Sequence, residues 1–99
     1  MNHSMSPAAA QFGEKVRSVR IELGLSQENI AELAQMHVTN YGKIERGIAN
    51  PSLVTILRIA SVLGTDVATL TAGLSRDHLP VEFEVLPAAE FLRERARRL

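Results

Sequence analysis

The 99-residue chain has no cysteine and no tryptophan, only one tyrosine and three phenylalanines, and 11 basic residues cancelled by 11 acidic ones. Without cysteine there is neither a disulfide framework nor a thiolate metal site, and the composition suits a reducing compartment, so the expected location is the cytoplasm. So few aromatic rings argue against a stacking platform for single-stranded nucleic acid. A formal net charge of +0 argues against a surface that coats nucleic acid over its whole extent. No stretch approaches the roughly 18 apolar residues of a membrane span, and Met1 to Pro7 lack a charged start followed by an apolar run. Neither membrane insertion nor export is therefore expected. The length suits one compact domain with some extra chain at its ends.

Sites for chemistry are equally sparse. His3, His37 and His78 have no spacing that suggests a shared metal, and the carboxylates form no convincing catalytic pair. The glycines build no phosphate-binding loop; Gly24, Gly47 and Gly64 punctuate helix ends. Gly42 is the odd one, inside a helix where it costs about 1 kcal/mol relative to alanine. No enzyme activity, metal or cofactor is expected, and a small-molecule effector is not expected without a second domain.

What the chain does contain is short amphipathic helices. Residues 1–11 are small and polar and read as a flexible arm. From Phe12, the apolar residues Phe12, Val16, Val19 and Leu23 mark one helix face that stops at Gly24. Leu25 turns inward and Ser26 caps a second helix with Ile30, Ala31 and Ala34 inside. The turn Gln35-Met36-His37 leads to a third helix, Val38 to Glu45, with Tyr41 and Ile44 on its buried side. Ser52, after Pro51, caps a fourth helix whose stripe is Leu53, Ile56, Ile59, Ala60 and Leu63, ending at Gly64. Asp66 caps a fifth, short helix with Val67 and Leu70. Residues 12–72 thus read as a five-helix, all-α domain held together by mutual packing, since helices this short are marginal alone.

Beyond Gly73 the pattern changes. Val81-Glu82-Phe83-Glu84-Val85 alternates apolar and acidic residues, which predicts a strand with one buried face. Pro87 opens a further helix over about 88–98, carrying Phe91 and Leu92 and the arginines 93, 95, 97 and 98. An unpaired strand needs a partner, so residues 73–99 are expected to form a strand-plus-helix tail that pairs with its copy in a homodimer.

The second and third helices, joined by a three-residue turn, are arranged to present one polar face to the major groove of double-stranded DNA. His37, Val38, Thr39 and Lys43 then face base edges: a lysine donates to guanine, and a valine or a threonine methyl meets the thymine methyl. Gln27 and Asn40 at helix starts, with Arg46, Asn50 and Ser52 in or beside the following loop, are the candidate phosphate contacts. In residues 12–72, Lys15, Arg17, Arg20, Lys43, Arg46 and Arg58 balance Glu14, Glu22, Glu28, Glu32, Glu45 and Asp66, so a DNA face is a local patch and two copies are needed for tight binding. Arg20 and Glu45, near the ends of the first and third helices, are placed for a structural ion pair.

Arg20 with Gly24-Leu25-Ser26-Gln27-Glu28, then Ile30-Ala31, Ala34, Ile44-Glu45-Arg46-Gly47, Pro51-Ser52, Ile56, Ile59-Ala60, Leu63-Gly64 and Leu70 form a specific set. On these residues the segment 12–72 resembles the lambda repressor, 434 repressor and Cro family of helix-turn-helix regulators, also called XRE-type. The resemblance implies a repressor-like DNA-binding domain that acts on operator DNA as a two-fold dimer. It also implies Gln27 on a phosphate, Val38, Thr39 and Lys43 on bases, and Arg20–Glu45 as the structural pair. Three positions depart from the pattern: Gln35 stands where glycine is common in the turn, His37 where a serine or threonine caps, and Gly42 where serine is common. The alternative to a transcription regulator is a protein-interaction module, or an antitoxin whose tail binds a partner protein.

Overall fold

The computed structural model describes residues 6–98, which form six α-helices and no strand. Helix α1 spans Pro7–Leu23, α2 Gln27–Leu33, α3 Val38–Glu45, α4 Leu53–Leu63, α5 Val67–Leu70 and α6 Ala88–Arg97, with one 3-10 turn at Arg76–His78. The part of the expected arm at residues 1–5 lies outside the described residues. From Pro7 on, the expectation is corrected: Pro7 to Gln11 are helical. The Ser6 side chain accepts from the Ala9 amide at 3.0 Å, and Pro7 occupies the first helical position, so a serine cap and a proline start the helix before its apolar stripe begins.

The other helix ends follow local chemistry. Ser26 and Asn29 form a reciprocal capping box on α2, Ser52 accepts from the Thr55 amide on α4, and Asp66 accepts from the Thr69 amide on α5, which lowers the Asp66 carboxyl. Gly24 and Gly64 close α1 and α4 in the left-handed conformation.

The core joins Phe12 and Val16 of α1, Ile30 and Ala31 of α2, Tyr41 and Ile44 of α3, Ile59, Ala60 and Leu63 of α4, and Leu70 of α5. Of the other expected core residues, Ala34 is buried and Val19, Ile56 and Val67 pack partly buried against the cluster, whereas Leu23 is 49% exposed and Leu53 65% exposed. These last two are the final residue of α1 and the first of α4, beyond the turns that neighbouring helices cover.

One close approach orients α3. A Cβ on Gly13 would lie 2.3 Å from the Ile44 carbonyl oxygen and 2.6 Å from that of Glu45, so α1 rests its backbone against the end of α3. The Gly13→Ala variant is expected to lose about 2 kcal/mol or more, because the obstruction is backbone and only a shift of α1 relieves it. A urea midpoint unchanged from the parent would contradict this.

The tail differs most from expectation. Val81 to Val85 form no strand: residues 81–82 are a turn, residues 83–87 are irregular, and the Phe83 amide donates to the Pro80 carbonyl at 3.0 Å. The strand-plus-helix tail is therefore corrected to a single helix, α6, after an extended link. Alternation yields a strand only where one face has something to cover and the backbone has a partner. Here Val81 is 93% and Phe83 58% exposed, and Pro80 and Pro87 interrupt the backbone donors on either side. Helix α6 buries no residue, although Phe91 and Leu92 share a side of it. No helix among the described residues is long and apolar enough to cross a membrane.

Candidate nucleic-acid interface

The third helix is held at its C-terminal end by a buried polar network. Arg20 Nε donates to Glu45 Oε2 at 2.6 Å and Arg20 Nη2 to Glu45 Oε1 at 3.0 Å, a two-pronged pair with Glu45 only 5% exposed. Arg20 Nη1 also donates to the Leu25 carbonyl at 2.9 Å, and Gln27 Nε2 donates to Glu45 Oε1 at 2.9 Å. The pair expected from the sequence is thus present, and it ties α1, the start of α2 and α3 together.

Burial alone would raise the Glu45 carboxyl. The hydrogen bonds from Arg20, with help from Tyr41, Gln27 and the Arg20 charge, outweigh burial and hold the group below its ordinary value of 4.5. The bond to Glu45 correspondingly raises Arg20. The Tyr41 hydroxyl lies near both without meeting hydrogen-bond geometry; burial first and the Glu45 carboxylate second push it well above the usual phenol range.

At the other end α3 is open. His37, Val38, Thr39, Asn40 and Lys43 are all exposed. His37 is the N-cap residue by backbone, yet its side chain makes no capping bond, so the first-turn amides of α3 carry no side-chain partner.

The structure sorts the candidate residues onto two flanks of α3. On one side His37, Asn40 and Lys43 share a concave surface of about 410 Å³ with Asn50 and Ser52 from the loop and start of α4. On the other, Gln27 and Arg46 both lie over Gly42, where a Cβ would lie 3.4 Å from Gln27 Oε1 and 3.1 Å from Arg46 Nη1. Val38 and Thr39 lie outside the concave surface, in the first turn of α3. Ser52 is also occupied structurally, since its hydroxyl caps α4 and donates to Thr55 Oγ1 at 3.0 Å. Among the described residues no group of three or more histidine or acidic side chains could hold a metal.

A short α2, a four-residue connection from Ala34 to His37 and an α3 with an exposed polar start are the geometry of a helix-turn-helix. The helix-turn-helix family designated HTH_3 matches residues 16–70. The chain belongs to this family. The helix-turn-helix unit is similar to control protein C.SmaI of Serratia marcescens, at 42% identity over 59 residues, covering 60% of this chain and 70% of that protein. It is similar also to the transcriptional regulator DdrOP3 of Deinococcus deserti, at 41% identity over 61 residues, covering 62% of this chain and 47% of the relative. The chain thus spans less than half the length of that regulator. Among solved structures, the restriction-modification controller protein C.AhdI of Aeromonas hydrophila superposes with a TM-score of 0.61 and 39% identity, covering 63% of this chain and 94% of that one.

In this helix-turn-helix the turn departs from glycine in sequence but not in shape. Gln35 has φ 57°, the sole positive φ at a non-glycine among the described residues. A side chain in the left-handed region costs about 1 to 2 kcal/mol, partly offset by the entropy that glycine would lose. The Gln35→Gly variant is accordingly expected to gain about 0.5 to 1 kcal/mol, read as a rise in urea midpoint at unchanged slope. An equal or lower midpoint would show that the turn carries no such strain.

Sequence reasoning missed Arg58, counted there only as a charge. It is the single charged residue of α4, LVTILRIASVL, and a lone charge in an apolar helix requires a partner. That signal was available, but the partner was not: Arg58 donates to the backbone carbonyl of Ala34, 24 residues away in sequence.

Proposed function

We infer that the chain is a sequence-specific double-stranded DNA-binding transcription regulator, a repressor, that acts on an inverted-repeat operator as a homodimer in the cytoplasm. The observation that carries this reading is the asymmetry of α3. One end is anchored in the Arg20–Glu45 network and the other presents Val38, Thr39 and Lys43 to solvent with polar groups on both flanks. A helix so held enters a major groove with its early residues on base edges, while Gln27, Arg46, Asn40, Asn50 and Ser52 flank it at phosphate positions. The names of the relatives, transcriptional regulator and control protein, support the same reading. Selection from a random duplex library at two salt concentrations tests it. Enrichment of two inverted half-sites about 34 Å apart, or a multiple, is expected; weak salt-sensitive binding without enrichment would reject it.

The dimer is proposed to draw on α6. Its apolar side, with Phe91 49% and Leu92 57% exposed, buries no residue, and among the described residues the core includes none beyond Leu70. Deleting residues 81–99 is therefore expected to leave the domain folded and to weaken dimerisation about tenfold or more, with operator affinity falling alongside. A sedimentation profile at micromolar concentration identical to that of the full chain would reject the role of the tail. A partner other than a second copy, as in the antitoxin alternative, would leave the full chain monomeric and α6 ordered by another polypeptide.

A further inference from the structure

We propose that Arg58 is a positioning residue for DNA recognition: it clamps the turn between α2 and α3 and so sets the angle at which α3 meets the groove. The inference rests on the reading of α3 as the recognition helix. Arg58 is half-buried on α4, and its Nε and Nη2 donate to the Ala34 carbonyl at 2.9 and 2.6 Å, while Nη2 also reaches the Gln35 carbonyl. These two carbonyls stand where α2 ends. The Gln35 amide donates to Glu32 and the Met36 amide to Ala31, the closing bonds of a left-handed helix stop, here built on glutamine rather than glycine. The Ala34 and Gln35 carbonyls have no partner inside the helix. A guanidinium fork held by a third helix satisfies both and places a cation at the negative end of α2.

Only Ala34, Gln35, Met36 and His37 separate α2 from α3, so the dihedrals of this turn fix the direction of α3. The recognition helix is consequently held at both ends: by Arg20–Glu45 and the Gly13 contact at its end, and by Arg58 just before its start. Arg58 compensates for the absent glycine by tying down the strained conformation that glycine would adopt freely. A site displaced by about an ångström loses function while its residues remain present.

The guanidinium also borders the concave surface shared by His37, Asn40 and Lys43, where a direct phosphate contact would be the competing role. Four full-length variants separate the roles, measured on the selected operator at a temperature where each is fully folded: Arg58→Met, Arg58→Lys, Gln35→Gly, and Arg58→Met with Gln35→Gly. The clamp predicts that both Arg58 variants weaken operator binding about tenfold, the scale of one mismatched base pair, with an unchanged salt slope, since a lysine cannot span two carbonyls. It predicts parental affinity for Gln35→Gly alone, and recovery to within about threefold of the parent for the double variant, because glycine holds the turn unaided. Parental affinity in Arg58→Met or Arg58→Lys would overturn the proposal. So would a loss in Arg58→Met that lowers the salt slope by about one contact and is not recovered by Gln35→Gly, which marks a phosphate ligand. Lys43→Ala serves as the reference: if it too binds like the parent, it is the assignment of α3 that fails and not the clamp alone.

Discussion

Replacing Arg20 with methionine is expected to lower stability at neutral pH by about 3 to 5 kcal/mol, a large fraction of what a domain of this size possesses. The cost comes less from the lost attraction than from the carboxylate left behind. Glu45 is 5% exposed and takes both prongs of the guanidinium, so in the variant Gln27 alone still donates to it. The Leu25 carbonyl loses its Arg20 partner as well. Replacing both Arg20 and Glu45 with methionine is expected to recover most of the loss, since no buried charge then remains unpaired.

The pH dependence gives this expectation a second check. In the parent, the Glu45 carboxyl lies below its ordinary value of 4.5, so the unfolded chain binds the proton first. The contribution of the pair is complete above that value and is lost as the pH falls through the lower, folded one. In Arg20→Met, burial dominates and raises the carboxyl, so the folded state binds the proton first and stability falls as the pH rises. The gap between parent and variant is thus widest at neutral pH and narrows as the pH falls, first through the raised carboxyl of the variant and then through the lowered one of the parent. Urea melts at neutral and acidic pH measure it; a gap of constant size would show that Glu45 does not carry the effect.

The second large effect is on binding. Thr39→Ala and Lys43→Ala are each expected to weaken the selected operator by about 1 to 3 kcal/mol while leaving the thermal melt unchanged. Both side chains are exposed, so their removal opens no cavity and strands no buried group. Their readouts differ. Thr39→Ala removes a methyl and an uncharged hydroxyl in the first turn of α3, which relaxes preference at one base pair without altering the salt slope. Lys43→Ala, one turn further along, removes a donor and a charge, and lowers the salt slope if that charge rests on a phosphate. Mutant proteins that select the same site with parental affinity would remove these residues from the interface.

Much of this architecture is legible because it is written within single turns of helix. Ser26, Ser52 and Asp66 each bond to an amide three residues on, and Gly24 and Gly64 take the left-handed stop at the residue where the apolar stripe ends. The start of α1 was written in the same way, in Ser6-Pro7, but the apolar stripe begins later and conceals it. Arg20 and Glu45 are readable as a pair because each stands near the end of a helix that the fold must bring together. The alternation at Val81 to Val85 misleads for the opposite reason: its local pattern is that of a strand, and nothing among the described residues pairs with it.

The sequence by itself determined the helices of residues 12–72, their caps and the polar start of α3, since capping and periodicity act over three or four residues. Tertiary structure alone decided how that helix is aimed. The approach of Gly13 to the Ile44 carbonyl and the reach of Arg58 to Ala34 join residues far apart in the chain. No short-range signal encodes such distances; they are set only when the core closes and backbone meets backbone at van der Waals range.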